Sequence, residues 1–118
     1  MADSSVVVTA WISGTTAVNL TGTEHVYDIS GLTAVAAGAN GPYATNLIIK
    51  DATGDVLLTV PLAIAPSLLN LGPYTGIACN IPSLSNSVAV VNTPFTAQLS
   101  NNLTAGQIGV MLGTNKAN

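Results

Sequence analysis

Thr45-Asn46-Leu47-Ile48-Ile49-Lys50, then Asp51-Ala52-Thr53-Gly54, then Asp55-Val56-Leu57-Leu58-Thr59-Val60 reads as two β-rich runs around a tight turn. Asp51 can accept from backbone N–H groups as the chain reverses, and Gly54 can take the left-handed conformation such a turn needs. The stretch therefore predicts a β-hairpin. Leu47, Ile49, Val56 and Leu58 occupy alternate positions, but Ile48 and Leu57 on the opposite parity are apolar too. A sheet with one wet face shows cleaner alternation, so the second face is expected to lie under another sheet or another subunit.

The flanking sequence has the same texture. Val6-Val7-Val8-Thr9-Ala10-Trp11-Ile12 reads as a first strand closed by Ser13-Gly14. In residues 24–29, His25, Tyr27 and Ile29 share one face and Glu24 and Asp28 the other, with Gly31 ending the run. Towards the C-terminus, residues 87–91 form a short strand. Phe95, Ala97 and Leu99 alternate with Thr96, Gln98 and Ser100, and Ile108, Val110 and Leu112 alternate with Gln107, Gly109 and Met111. Further strands are expected within residues 31–39 and around 77–81. No amphipathic helix is evident. The expectation is all-β: one domain over residues 1–118, a small β-sandwich or barrel of about six to eight mainly antiparallel strands. Residues 61–76 hold Pro61, Pro66 and Pro73 among Leu62, Ile64, Leu68, Leu69, Leu71 and Tyr74, with little strand or helix periodicity. They read either as a loop over the end of the core or as an arm that packs on a neighbour, because exposed apolar surface needs a reason.

Composition narrows the functions. Only Asp3, Glu24, Asp28, Lys50, Asp51, Asp55 and Lys116 are charged, 6% of the chain, whereas about a quarter is usual. A folded chain of this mass exposes about 5,900 Å², or one charge per roughly 800 Å². The 14 Thr, 11 Asn and 9 Ser must supply most of the polar surface. Such a surface suits a protein largely covered by other protein. Two basic residues cannot track a phosphate backbone, which argues against nucleic-acid binding. The N-terminus has no basic region ahead of an apolar stretch, and no run approaches the ~20 apolar residues that span a bilayer. Neither secretion nor membrane attachment is expected.

Little here can do chemistry. His25 is the sole imidazole, and its neighbours Glu24 and Asp28 point to the opposite face of a strand. No nucleophile elbow, Walker loop or dinucleotide fingerprint occurs, and one His with one Cys cannot build a metal cluster. Asp51 and Asp55 could approach a calcium ion, but capping of the turn is the expected role, with Lys50 across the hairpin from Asp55. Cys79 is expected to be a small buried hydrophobe. The aromatic residues are Trp11, Tyr27, Tyr43, Tyr74 and Phe95. Two or three of them could form a sugar-stacking platform, but a lone Trp in a β-domain is more often core, and that is the expectation for Trp11. No catalytic residue, metal or cofactor is assigned, and the chain is not expected to be an enzyme.

The Asp51-Ala52-Thr53-Gly54 hairpin, the closing Leu103-Thr104-Ala105-Gly106-Gln107-Ile108-Gly109-Val110 and the Ala/Thr/Val/Gly/Asn composition together resemble small accessory proteins of tailed bacteriophage particles, especially head decoration or cement proteins. The resemblance is one of texture over the whole chain. It implies a β-domain made in the host cytoplasm that binds the outside of a capsid and stabilises it, often as a symmetric homo-oligomer, with a trimer at a local threefold the natural guess. Ile48, Leu57, Leu68, Leu69, Leu71 and Tyr74 are the candidate contacts to other copies or to a virion protein. With so few charges to screen, those contacts should be insensitive to salt. The alternatives are a phage tail or fibre module and a cell-surface glycan-binding or adhesive β-domain.

Overall fold

Alternating apolar residues build a two-layer sandwich whose strands are β1 (Ala2–Ile12), β2 (Val18–Leu20), β3 (Val26–Asn40), β4 (Ala44–Lys50), β5 (Val56–Ala63), β6 (Tyr74–Ile81), β7 (Asn86–Ser87), β8 (Phe95–Leu99) and β9 (Ala105–Ala117). The computed structural model describes residues 2–23, 26–84, 86–87 and 93–117, with side chains for 9–23, 28–84 and 93–114. One sheet has the order β1-β9-β3-β6, and the other β2-β8-β4-β5. Every pairing is antiparallel.

The two-residue β7 pairs with β3 on the side away from β9, the side β6 also occupies. Leu84 N–H donates to Ser30 O at 2.8 Å between the two segments. β7 thus prolongs the β6 edge past Pro82, leaving eight strand positions. The first then pairs with the last (β1 with β9), the second with the penultimate (β2 with β8), the third with the sixth (β3 with β6 and β7) and the fourth with the fifth (β4 with β5). A long antiparallel hairpin wrapped over on itself nests its pairs in this way, the arrangement known as a jelly roll. No pairing among the described residues joins the two sheets, so the architecture is an open sandwich and not a closed barrel.

Between the sheets, Ile12, Leu32, Ile108, Val110 and Leu112 meet Leu20, Leu47, Ile49, Leu62, Phe95 and Leu99, all buried in one cluster. Thr23 ties its margin. The Thr23 hydroxyl donates to Leu20 O at 2.6 Å and accepts from Phe95 N–H at 2.7 Å, so a buried polar side chain is satisfied at the point where β2 ends and β8 begins.

The expected hairpin forms as read. Gly54 N–H donates to Asp51 O, Asp51 N–H to Asp55 O, and Gly54 has φ 95°, a turn followed by a left-handed residue. Three local expectations are corrected. Gly31 does not end a strand: β3 runs on to Asn40, and a register shift between Ile29 and Gly31 absorbs the irregularity. Residues 61–63 continue β5, since Pro61 lies on an edge strand where its missing N–H is harmless. Ile64 is in the core, and the true connection is the remainder up to β6. Finally, Ile49 pairs with Leu58 but Lys50 with Val56, so Leu57 is an extra residue in a bulge. Leu57 consequently packs against the core, Val56 turns outward, and Lys50 lies opposite Val56 instead of Asp55.

Candidate functional site

The first candidate surface is the outer face of the β1-β9-β3-β6 sheet. Trp11 pairs with Gly109, Gly109 with Val35, and Val35 with Ile77, giving one straight row across four strands. The next row is Thr9, Met111, Thr33 and Asn80. Neither row contains a charged residue. Trp11 is 55% exposed and Ile77 63% exposed, so the expectation of a core Trp is overturned. The reason is register. Ile12 takes the inward position, and Trp11, one residue earlier, must face out. Gly109 makes this arrangement workable, because a Cβ there would stand 2.9 Å from the Trp11 six-membered ring. The indole uses that space, beside an apolar depression of about 240 Å³ bordered by Val35 and Met111.

Trp11 also walls a second, more polar cleft of about 420 Å³ with Ser13, Thr16, Val18, Asn102 and Leu103. Here the connection between β1 and β2 lies against that between β8 and β9. Leu103 N–H donates to Ser13 O at 2.9 Å, Leu99 N–H to Gly14 O at 2.8 Å, and Thr15 N–H to Asn102 Oδ1 at 2.9 Å. Thr15 Oγ1 donates to the same Asn102 oxygen at 3.2 Å.

The third feature is the 67–70 turn. Asn70 N–H donates to Ser67 O at 3.2 Å and to Ser67 Oγ at 3.1 Å, closing a tight reversal with Leu68 and Leu69 at its tip. These central positions usually carry Gly, Asn, Asp or Pro. Here two leucines occupy them, 73% and 100% exposed.

The six candidate contacts are not brought to one place. Leu68 and Leu69 form the turn tip, with Leu71 exposed just beyond it. Ile48 is half-buried on the other sheet between Gln98 and Thr59. Leu57 packs on the core from its bulge. Tyr74 also packs on the core, and its hydroxyl donates to Ile77 O at 3.1 Å. Sequence reasoning missed the Trp11 row because its partners are far apart in the chain. Trp11 and Tyr74 lie on opposite edge strands, so they form no shared stacking platform.

Glu24 and His25 lie outside the described residues, as do the side chains of Asp3, Tyr27 and Lys116. Asp51 Oδ1 accepts from Thr53 N–H, Thr53 Oγ1 and Asp55 N–H at 2.9, 2.7 and 2.9 Å, the turn-capping arrangement. The Thr53 hydroxyl is foremost in holding its carboxyl below the usual 3.8. Cys79 is half-buried, and burial pushes its thiol above 9.0, leaving it protonated near neutral pH. No three His, Cys, Asp or Glu side chains gather among the described residues. Comparison with family models, curated proteins and solved structures returned no match.

Proposed function

We propose that this chain is a non-enzymatic structural protein of a virus particle, a decoration or cement protein that binds the outside of a capsid and stabilises it. The observation that carries this reading is the 67–70 turn, which holds Leu68 and Leu69 out in water. Burying both on a partner would return roughly 3–6 kcal/mol before the costs of association. The charge-free rows around Trp11 and Ile77 supply a broader apolar face beside polar Thr and Asn. A jelly-roll sandwich supports the reading by analogy alone, since virus structural proteins and lectins both use it. The protein attaches together with further copies of itself, most simply as a trimer at a local threefold, and the contacts resist salt. A tail or fibre position rests on the same surfaces.

The test is particle binding by the double variant Leu68→Ser, Leu69→Ser. Both side chains are at a turn tip, so thermal stability should be unchanged while retention on purified particles falls at least about tenfold. Decorated particles should also survive heat or osmotic shock better than stripped ones. Equal survival would overturn the stabilising role, and undiminished retention of the variant would overturn the assignment of the turn.

A further inference from the structure

We infer that Trp11 and the cleft beside it form a binding site for a neutral saccharide, whether or not the chain belongs to a virion. A pyranose ring has an apolar C–H face and a rim of hydroxyls, so its site needs a flat apolar wall next to uncharged hydrogen-bonding groups. Trp11 supplies the wall: it is 55% exposed and seated on the Gly109 backbone, where a side chain would otherwise stand. A platform held in this way loses little freedom when a ligand stacks on it.

The rim comes from two connections held together by backbone hydrogen bonds. Ser13 and Thr16, which carry hydroxyls, line the cleft from one, and Asn102, which carries an amide, from the other. The Asn102 oxygen is taken by Thr15, which fixes the amide plane, and no described residue accepts from its Nδ2. Val18 and Leu103 close the apolar side. A volume of about 420 Å³ lies within the ordinary range for small-molecule sites. Among the described residues no charged side chain lines the cleft, so none of them compensates the carboxylate or sulfate of an acidic sugar, and the commitment is to neutral glycans.

Trp11 is the chain's one tryptophan, so its own fluorescence reports on the site. The full chain is screened against oligosaccharides of glucose, galactose, mannose and N-acetylglucosamine, with sialylated and sulfated glycans alongside. The best binder is then titrated while emission and acrylamide quenching are followed. The expected result is saturable binding of a neutral member, a blue shift and protection of Trp11 from the quencher. Trp11→Ala should weaken binding by roughly tenfold or more, and Thr16→Ala by roughly threefold to tenfold. Gly109→Ala removes no ligand contact but displaces the indole, so it should weaken binding while circular dichroism stays unchanged. Absence of binding across the panel, preference for the acidic glycans, or full binding by Trp11→Ala would each overturn the proposal. So would protection of Trp11 that rises with protein concentration without sugar, since a second copy would then be its occupant.

Discussion

The two sheets share one core yet turn unlike faces outward. On the β1-β9-β3-β6 sheet the outer rows are Trp11, Gly109, Val35, Ile77 and Thr9, Met111, Thr33, Asn80. On the β2-β8-β4-β5 sheet they are Asn19, Thr96, Lys50, Val56 and Gln98, Ile48, Thr59. Three of the four charged side chains that are described, Lys50, Asp51 and Asp55, belong to the hairpin of the second sheet, and Asp28 is half-buried on β3. The two outer faces therefore differ in their middle rows. The second sheet carries Lys50, Asp51 and Asp55 at its hairpin end and looks like ordinary solvated surface. The two rows of the first sheet, from Trp11 to Ile77 and from Thr9 to Asn80, present large apolar groups and no charge, the strand positions Asp3, Asp28 and Lys116 of that sheet lying outside them. A partner that excludes water has less to desolvate on the first sheet.

That contrast depends on the register of β9, which is where it can be broken most severely. Leu112 faces the core and Met111 the outer face. Leu112→Ala should cost about 2–5 kcal/mol of stability and Met111→Ala about 1 kcal/mol or less, read from chemical denaturation. Equal losses would mean that the faces are misassigned. A smaller effect sharpens the contrast in binding. Ile77→Lys places a charge in the apolar row and should reduce particle retention by about tenfold, or about 1.4 kcal/mol. Thr59→Lys on the other sheet should leave it unchanged. Both variants should fold with stability altered by about 0.5 kcal/mol or less. Next comes the hairpin turn that carries the charges. Gly54 has φ 95° and open space around it, so Gly54→Ala meets no clash and loses only backbone comfort, about 1 kcal/mol in thermal unfolding.

Features determined by neighbours in the chain were legible in the sequence. The 51–55 turn, the alternation of Phe95, Ala97 and Leu99 and that of Ile108, Val110 and Leu112 all appear as read, because period and turn chemistry are local. Features determined by distant partners were not. Whether Pro61 breaks a strand depends on β5 being an edge, and whether Gly31 ends one depends on β9 running past it on one side and on β6 and then β7 flanking it on the other. The bulge at Leu57 reverses the parity of Val56, which no periodicity count could anticipate. Trp11 is the most instructive case. Its residue type favours burial, and only the pairing with Gly109, almost a hundred residues away, shows where a large ring can lie outside the core. The exposed Leu68 and Leu69 were visible as apolar residues out of period, though not as a turn tip.

The smallest predicted effect concerns acid, and it should touch the second sheet alone. Asp51 accepts from the Thr53 hydroxyl and from the Thr53 and Asp55 amides, with the Thr53 hydroxyl the largest cause of its lowered pKa. Its folded value therefore lies below the ordinary 3.8 expected of the unfolded chain. The stabilisation is fully present above 3.8 and is lost as pH falls through the folded value. Because the carboxylate is exposed and screened by water, the loss should loosen the turn without unfolding the sandwich. Amide exchange followed by NMR from pH 5 downward should quicken for residues 51–55 while β9 between β1 and β3 keeps its protection. Asp51→Asn, whose side-chain oxygen can still accept but does not titrate in this range, should remove the pH dependence. Quickening of both sheets together would show that the acid response has another source, and that the two faces are not independent.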